Sequence, residues 1–308
     1  MSTSTYILCP GQGAQFVGMG KDFFESSPAA KETFASANRV LGYDLAGVCF
    51  AGPEEKLNAT DIAQPAIYTT SIACFRAAVA LGKIDLAAVT AYAGLSLGEY
   101  TALHLAGVFG FEDGLKLVAA RGRYMQEAAL ATRSGMVAIL GADEAAVDKL
   151  CAENGNGEVL VPANFNAPGQ IVVSGAIAAC ERVLAAAGVA GFKAMALKVT
   201  GAFHSPLMQS GADKMRCELD NVAFGMPKVT VYSNVTGKPH GDVASIKSLL
   251  VDQIVKSVRW ADTMQTLIGA GEARFVELAP NRHLAGLAKR INRRLPIESM
   301  ETFAAMNG

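Results

Sequence analysis

Apolar positions in the first 130 residues fall into short runs separated by longer stretches with helical spacing. The short runs predict strands, and the longer stretches predict helices. Strands that alternate with helices at this rhythm are typical of a parallel sheet covered on both faces. Two later apolar runs extend the same sheet. The predicted elements are strands at 6–9, 88–93, 229–233 and 274–278, and helices at 65–81, 97–105 and 111–130.

The pattern changes near residue 131. From there to residue 199 the predicted order is strand, helix, strand, strand, helix, strand, which is the signature of a ferredoxin-like unit. These elements lie at 136–141, 144–153, 159–164, 171–174, 177–187 and 193–199. We therefore expect an α/β fold with a large lobe formed by residues 1–130 and 200–308, and a small ferredoxin-like lobe inserted at 131–199.

Composition and charge exclude several classes of protein. The 308 residues are 51% hydrophobic and 18% charged, with a formal net charge of −1. Such a charge argues against broad binding to nucleic acid or to anionic membranes. No uncharged apolar run reaches the roughly 18 residues of a membrane span, and the N-terminus lacks the pattern of a secretion signal. We expect a cytoplasmic protein.

The six cysteines are spaced far apart, without a CxxC pair. Most lie inside apolar segments, so we expect reduced, buried thiols rather than disulfides or metal ligands. The sequence therefore predicts no metal site.

The sharpest chemical signal is the GxSxG pentapeptide Gly94-Leu95-Ser96-Leu97-Gly98, placed between a predicted strand and a predicted helix. In this setting the glycines allow a tight bend that exposes the serine hydroxyl. Free amides at the helix start favour developing negative charge, so the Leu97 amide is a natural oxyanion donor. The alternative is a glycine-rich turn whose serine only caps the helix. The context favours Ser96 as a nucleophile.

A serine hydroxyl needs a base to remove its proton, and the chain has four histidines. His104 lies two turns along the helix that follows Ser96, too far away to reach its hydroxyl. His240 is in a Lys-Pro-His-Gly segment that we expect to be an exposed turn. His204 follows a predicted strand, where α/β folds place their chemistry. It is therefore favoured over His283, which begins a C-terminal helix.

Two arginines on the helix at 111–130 differ in their surroundings. Arg123 shares a stripe with charged residues and is expected to be solvated. Arg121 has mainly apolar neighbours at helical spacing, and an uncompensated buried charge costs several kcal/mol. Its partner is either an internal carboxylate or a substrate carboxylate, which arginine grips in a planar, two-pronged geometry.

Five motifs, in order, make the chain resemble the malonyl-CoA:acyl carrier protein transacylase family of fatty acid synthesis over nearly its whole length. They are Pro10-Gly11-Gln12-Gly13-Ala14-Gln15, the GxSxG segment with Glu99-Tyr100, Ala120-Arg121-Gly122-Arg123-Tyr124-Met125, Asn164-Phe165-Asn166-Ala167-Pro168-Gly169-Gln170, and Gly201-Ala202-Phe203-His204-Ser205-Pro206-Leu207-Met208. The family's hydrolase-like large lobe and ferredoxin-like small lobe agree with the organisation predicted above. The first motif also contains GxG after a strand, but it lacks the third glycine of a dinucleotide-binding loop.

The resemblance implies a catalytic role for each residue that matches the motifs. Ser96 would be the nucleophile and His204 its general base, while Arg121 would hold the malonyl carboxylate. The backbone amides of Gln12 and Leu97 would form the oxyanion hole.

Three further positions are implied to shape the site. Gln253 matches a glutamine at which the family orients its histidine through a backbone carbonyl rather than a triad acid. Asn164 would line the cleft between the lobes. Phe203 resembles the phenylalanine of malonyl-selective members, which leaves no room for a methylmalonyl branch.

The implied reaction moves a malonyl group from malonyl-CoA to the phosphopantetheine thiol of an acyl carrier protein. The CoA thioester is a substrate, and no metal or tightly held cofactor is implied; we also expect a monomer. A basic cluster near the C-terminus is either a landing surface for the acidic carrier or a solvated helix end. Its members are Lys289, Arg290, Arg293 and Arg294.

Three alternatives remain open. One is an acyltransferase of the same fold that serves polyketide assembly. The second is a serine esterase or thioesterase with His283 as its base, and the third is a non-catalytic scaffold.

Two positions depart from the family's pattern. Leu95 stands where many members have histidine, and Ala279-Pro280-Asn281 replaces a Gly-Pro-Gly turn. Asparagine is the next-best residue after glycine for positive φ, so we expect this turn to survive.

Overall fold

The computed structural model describes residues 4–307, and its large lobe is built around a five-stranded sheet. The strands are β1 (Ser4–Cys9), β2 (Val89–Gly94), β7 (Thr230–Val231), β8 (Ala273–Leu278) and β9 (Ile297–Met300). They lie in the order β7-β2-β1-β8-β9, and every neighbouring pair is parallel. The predicted parallel sheet is confirmed. Sequence analysis missed the edge strand β9, whose Ile-Glu-Ser-Met sequence has no apolar run.

The side chains of β1 show why this sheet needs a layer on each face. Ile7 and Cys9 pack into a core on one side, whereas Tyr6 and Leu8 pack into a second core on the other side, together with Trp260. Neighbouring side chains of a strand point to opposite faces of the sheet. Because β1 buries its side chains on both faces, a layer of helices must cover each face.

Helices cover both faces of the large sheet. They are α1 (Lys21–Ser26), α2 (Pro28–Leu41), α3 (Leu45–Ala51), α4 (Glu54–Asn58), α5 (Thr60–Ala80), α6 (Leu97–Leu105), α7 (Phe111–Ala131), α10 (Gln209–Asp220), α11 (Val243–Val255), α12 (Trp260–Gly269), α13 (His283–Ile291) and α14 (Phe303–Asn307), with short 3-10 helices at Leu86–Ala88 and Pro206–Met208. Helix α5 begins at Thr60 rather than at residue 65, and Pro65 lies inside it. No helix within residues 4–307 is long and apolar enough to cross a membrane.

The small lobe is a four-stranded antiparallel sheet with two helices. Its elements are β3 (Ser134–Leu140), α8 (Glu144–Asn154), β4 (Leu160–Ala167), β5 (Gln170–Ala176), α9 (Ile177–Val189) and β6 (Lys193–Ala196). The strand order β4-β5-β3-β6, with every pair antiparallel, is that of the ferredoxin-like unit. The predicted topology is therefore confirmed, although β6 ends at Ala196 rather than at residue 199.

Strand β4 also joins the two lobes. The amide of Phe165 donates to the carbonyl of Val258 at 2.9 Å, and the amide of Val258 donates to the carbonyl of Ala163 at 2.8 Å. This short ladder holds one edge of the small lobe against the large lobe. A cleft between the lobes is thereby bounded on one side by β4.

Candidate active site

Ser96 occupies a sharp bend between β2 and α6, with φ +52° and ψ −105°. A Cβ at Gly94 would lie 1.9 Å from the carbonyl carbon of Gly98, and a Cβ at Gly98 would lie 2.0 Å from the carbonyl oxygen of Cys9. Only glycine fits at either position. The Ser96 amide donates to Oδ1 of Asn234 at 2.5 Å, which holds the bend from the side.

His204 lies beside this serine. Its Nε2 is 2.9 Å from Oγ of Ser96, and its Nδ1 is 2.6 Å from the carbonyl oxygen of Gln253. A carbonyl only accepts hydrogen bonds, so Nδ1 carries the proton and Nε2 of the neutral ring accepts from the serine hydroxyl. Burial, followed by the charge of Arg121, lowers the pKa of His204 to about 4. The imidazole is therefore a neutral base at pH 7.

Backbone strain concentrates at the same place. Positive φ is uncommon for residues other than glycine, and Ser96, Asn156 and His204 are the only non-glycine residues among 4–307 that adopt it. Two of these three face each other in the cleft. Strained conformations of this kind persist where the surrounding structure over-determines them, which is common at active sites.

Arg121 completes a cluster of three polar groups. Its side chain is 1% exposed. Its Nη1 donates to Oε1 of Gln64 at 2.7 Å, and its Nη2 donates to Oε1 of Gln253 at 2.8 Å and to Oγ of Ser96 at 3.0 Å. The guanidinium also lies 5.5 Å from the ring centre of Tyr100.

The partners of Arg121 are amides and a hydroxyl, not acids. Within residues 4–307 it forms no ion pair, so of the two partners considered from the sequence the internal carboxylate is not observed. Burial lowers the pKa of Arg121, but a guanidinium stays protonated in proteins. A buried cation without an anion is costly. The site is therefore suited to an anionic ligand.

Two backbone amides are available near Ser96. Leu97 is the first residue of α6, and the first amides of a helix have no acceptor inside it. Gln12 lies in the loop after β1, and its backbone amide has no acceptor in the described part of the chain. Its side chain donates to Thr60 at 3.3 Å.

The cleft has a volume of about 490 Å³ and is lined by both lobes. The small lobe contributes Asn164 from β4, and the segment after β6 contributes Lys198 and Phe203. Phe203 is 6% exposed and lies directly before His204. The structure thus places all eight residues singled out from the sequence in or beside one cleft: Gln12, Ser96, Leu97, Arg121, Asn164, Phe203, His204 and Gln253.

The other three histidines take different positions. His104 donates from its ring to the carbonyl of Phe109 at 3.0 Å, away from Ser96. The expectation that His240 is exposed is wrong, because its side chain is fully buried against Glu99. Within the Lys-Pro-His-Gly segment, Pro239 forms an antiparallel bridge with Tyr232, and the amide of His240 donates to the carbonyl of Val231 at 2.8 Å. His283 lines the cleft at the start of α13, and burial lowers its pKa.

The turn before α13 survives by a different route from the one expected. Asn281 does not adopt positive φ, and the Ala279–Pro280 peptide is cis. The Asn281 side chain donates to the carbonyl of Ala14 at 2.8 Å and accepts from the amide of His283 at 2.9 Å. These bonds tie the turn to the loop after β1.

Sequence analysis missed three residues that support the cluster. Gln64 is the only side-chain amide in α5, and Glu99 is an acid in the buried elbow helix. An amide or an acid at a buried helix position was a usable signal. Asn234 lies in a loop after β7 and gave none.

Residues 5–305 match the acyl transferase domain family. The malonyl CoA-acyl carrier protein transacylase of Salmonella typhimurium is 41% identical over 306 residues, covering 99% of this chain and 98% of that protein. The protein of the same name from Bacillus subtilis is 41% identical over 296 residues, covering 94% and 90%.

Solved structures agree with these sequence matches. The malonyl CoA-acyl carrier protein transacylase from Coxiella burnetii superposes with a TM-score of 0.95 at 38% identity, covering 99% of this chain and 96% of that one. A malonyl-transacylase in complex with a type II PKS acyl-carrier protein superposes with a TM-score of 0.94 at 37% identity, covering 99% and 98%.

Proposed function

Because this chain belongs to the acyl transferase domain family, we propose that it transfers malonyl groups from malonyl-CoA to the phosphopantetheine thiol of an acyl carrier protein. The observation that carries the proposal is the contact of Ser96 with both His204 and Arg121. A nucleophile with its base is common to many acyl-transferring enzymes. A buried cation without an acid, 3.0 Å from that nucleophile, selects an acyl group with a second carboxylate.

In the first half-reaction, Oγ of Ser96 attacks the thioester carbonyl of malonyl-CoA while Nε2 of His204 takes the hydroxyl proton. The amides of Gln12 and Leu97 donate to the oxyanion of the tetrahedral intermediate. The carbon–sulfur bond then breaks, and the CoA thiolate receives the proton from His204. The product is a malonyl-serine ester.

In the second half-reaction, the carrier's phosphopantetheine thiol enters the cleft. His204 takes the thiol proton while sulfur attacks the ester carbonyl, and the same two amides hold the oxyanion. The ester bond then breaks, and Oγ of Ser96 recovers its proton from His204. The malonyl group leaves on the carrier, and no resident metal or cofactor takes part in this scheme.

The carbonyl of Gln253 takes the place of a triad acid. It accepts from Nδ1 of His204 at 2.6 Å, which selects the tautomer with a free Nε2. Arg121 acts on the neighbouring serine instead. Its N–H bond to Oγ at 3.0 Å favours the alkoxide character that develops during attack.

Arg121 holds the distal carboxylate of the malonyl group in this proposal. No acidic side chain among residues 4–307 pairs with Arg121, so its charge is not neutralised within the described chain. Phe203 and Asn164 line the same cavity. A monomer, a cytoplasmic location and the choice between fatty acid and polyketide carriers stay predictions.

The esterase alternative predicts His283 as the base. The ring of His283 makes no hydrogen bond within the described residues, whereas His204 contacts Ser96 directly. We therefore expect His283→Ala to keep most of its kcat and His204→Ala to lose it. The opposite result would favour the esterase.

The proposal is tested by incubating the protein with radiolabelled malonyl-CoA and acetyl-CoA, with and without a holo acyl carrier protein. We expect a malonyl-enzyme adduct without carrier, its discharge onto added carrier, and little acetyl transfer. Ser96→Ala should form no adduct in intact-mass measurement. Hydrolysis of the thioesters without transfer to the carrier would overturn the proposal.

A further inference from the structure

A buried carboxylate lies behind the catalytic cluster without touching the cleft. Glu99 is on α6, one turn after Ser96, and its side chain is fully buried. Its Oε1 accepts from Nε2 of His240 at 2.7 Å. Its Oε2 accepts from the backbone amide of Asn234 at 3.0 Å and from Nε2 of Gln253 at 2.6 Å.

The contacts of Gln253 settle the orientation of its side-chain amide. An amide has one accepting end and one donating end, a carboxylate oxygen accepts, and a guanidinium only donates. The Gln253 NH₂ group therefore points at Glu99 and, at 3.0 Å, at the carbonyl of Ser96. Its Oε1 is left pointing at Nη2 of Arg121, 2.8 Å away.

An amide between the acid and Arg121 has a consequence for ligand binding. Were a carboxylate placed at position 253, it would pair with Arg121 directly and neutralise it. The neutral amide of Gln253 accepts a hydrogen bond from the guanidinium and holds it in position without neutralising it. The positive charge of Arg121 stays available to an incoming anion. A flipped amide would instead present N–H groups to the guanidinium, and donors do not bind donors.

We propose that Glu99 is a positioning residue for malonyl selectivity, acting through the Gln253 amide on Arg121. This inference rests on the proposed function, because it assumes that Arg121 binds the malonyl carboxylate. Glu99 itself touches neither substrate nor the reacting atoms. His240 supports the arrangement by donating to the second oxygen of the same carboxylate.

Two substitutions at this position separate orientation from charge. In Glu99→Gln the new amide oxygen can take the place of Oε2 and accept from Gln253 and Asn234, while its NH₂ faces His240. Nδ1 of His240 has no partner within the described chain, so the ring can change tautomer and accept at Nε2. In Glu99→Leu the 2.6 Å bond from Gln253 to the carboxylate is lost, and the NH₂ group of Gln253 keeps only the carbonyl of Ser96 as an acceptor.

The experiment measures kcat/KM for malonyl-CoA and for acetyl-CoA in each variant. Losing one hydrogen bond to a charged group typically lowers a rate about 10- to 100-fold. We expect Glu99→Leu to lower the malonyl:acetyl ratio by about that factor, and Glu99→Gln to keep the ratio near the wild-type value. Glu277→Gln is the matched control: Glu277 is also a buried acid, bonded to the amides of Leu284 and Ala285, and its substitution should leave the ratio unchanged.

Each outcome decides the inference. An unchanged ratio in Glu99→Leu overturns it, and so does an equal loss in Glu99→Gln and Glu99→Leu, since that would indicate charge rather than orientation. A wild-type protein that transfers no malonyl group would instead refute the proposed function.

A measurement on the unsubstituted protein covers the case in which Glu99→Leu does not fold. With glutamine side chains labelled with ¹⁵N, we expect the Gln253 NH₂ protons to exchange with solvent much more slowly than those of the exposed Gln265. Equally fast exchange would show that Glu99 does not hold the amide, and the inference would fail.

Discussion

Removal of the Arg121 guanidinium is the perturbation with the largest calculable effect on selectivity. The side chain is 1% exposed and forms no ion pair within residues 4–307, so we expect the substrate carboxylate to be its anionic partner in the malonyl complex. Leaving one charge of a buried pair unpaired costs about 3–5 kcal/mol. At about 1.4 kcal/mol per factor of ten, Arg121→Ala should lower kcat/KM for malonyl-CoA by about 100- to 5,000-fold.

Acetyl-CoA separates this effect from damage to the fold. An acetyl group has no carboxylate, so its transfer should fall only as far as the variant disturbs Ser96 and the amides of Gln64 and Gln253. The assay compares kcat/KM for the two thioesters with a saturating carrier, and thermal unfolding reports the stability of each variant. Arg123→Ala is the control, because Arg123 lies two residues away with its side chain 57% exposed and paired with Glu127.

The reasoning fails if Arg121→Ala prefers malonyl over acetyl by the wild-type margin. A proportional loss on both substrates, with a lower melting temperature, would assign Arg121 a structural role only. A reduced ratio in Arg123→Ala would point to a general effect of positive charge on this helix.

Three further predictions follow from the geometry of the cleft. In the proposed mechanism the neutral form of His204 is the base, and burial and Arg121 lower its pKa to about 4. The acid limb of kcat/KM should therefore lie well below the ordinary 6.5, and a midpoint near 6.5 in the pH profile would contradict this. Phe203→Ala should raise kcat/KM for methylmalonyl-CoA relative to malonyl-CoA by about 10-fold or more, since one methyl group in a pocket is worth about 1–3 kcal/mol. An unchanged ratio in a competition assay would show that Phe203 does not determine this specificity. Gly98→Ala places a Cβ 2.0 Å from the carbonyl oxygen of Cys9 and should destabilise the protein by about 1–3 kcal/mol or more. Thermal unfolding measures this loss, and a melting temperature equal to that of the wild type would show that the bend can relax.

Local pattern was sufficient for most of the fold. The apolar run of β1 and the rhythm of strands and helices predicted a doubly covered parallel sheet, and the six elements from 136 to 199 predicted the ferredoxin-like order. The Ser96 bend was predictable for the same reason, because the glycines, the strand and the helix are adjacent in sequence. The edge strand β9 was missed because its pairing with β8, rather than its own composition, makes it a strand.

The support behind the catalytic groups was not predictable from local pattern. His240 was expected in solvent, but it is buried against Glu99, 141 positions away in the chain. Gln64 and Asn234 reach Arg121 and the Ser96 amide across 57 and 138 positions. Such contacts depend on how the strands are ordered in the sheet, which one sequence does not reveal. The resemblance supplied Gln253 only because its motif position was recognisable.

Arg121 is surrounded by amide side chains rather than acids, and this bears on both the stability of the protein and its selectivity between acyl groups. A buried guanidinium without an anion costs several kcal/mol of stability. Here Glu99 is the nearest acid in the hydrogen-bonded chain, and Gln253 stands between the two charges. We therefore expect the free protein to retain an unfavourable electrostatic term that the distal carboxylate of a malonyl group relieves on binding. An acetyl group has no carboxylate and should not relieve it, so the same term should lower the stability of the free protein and raise its preference for malonyl.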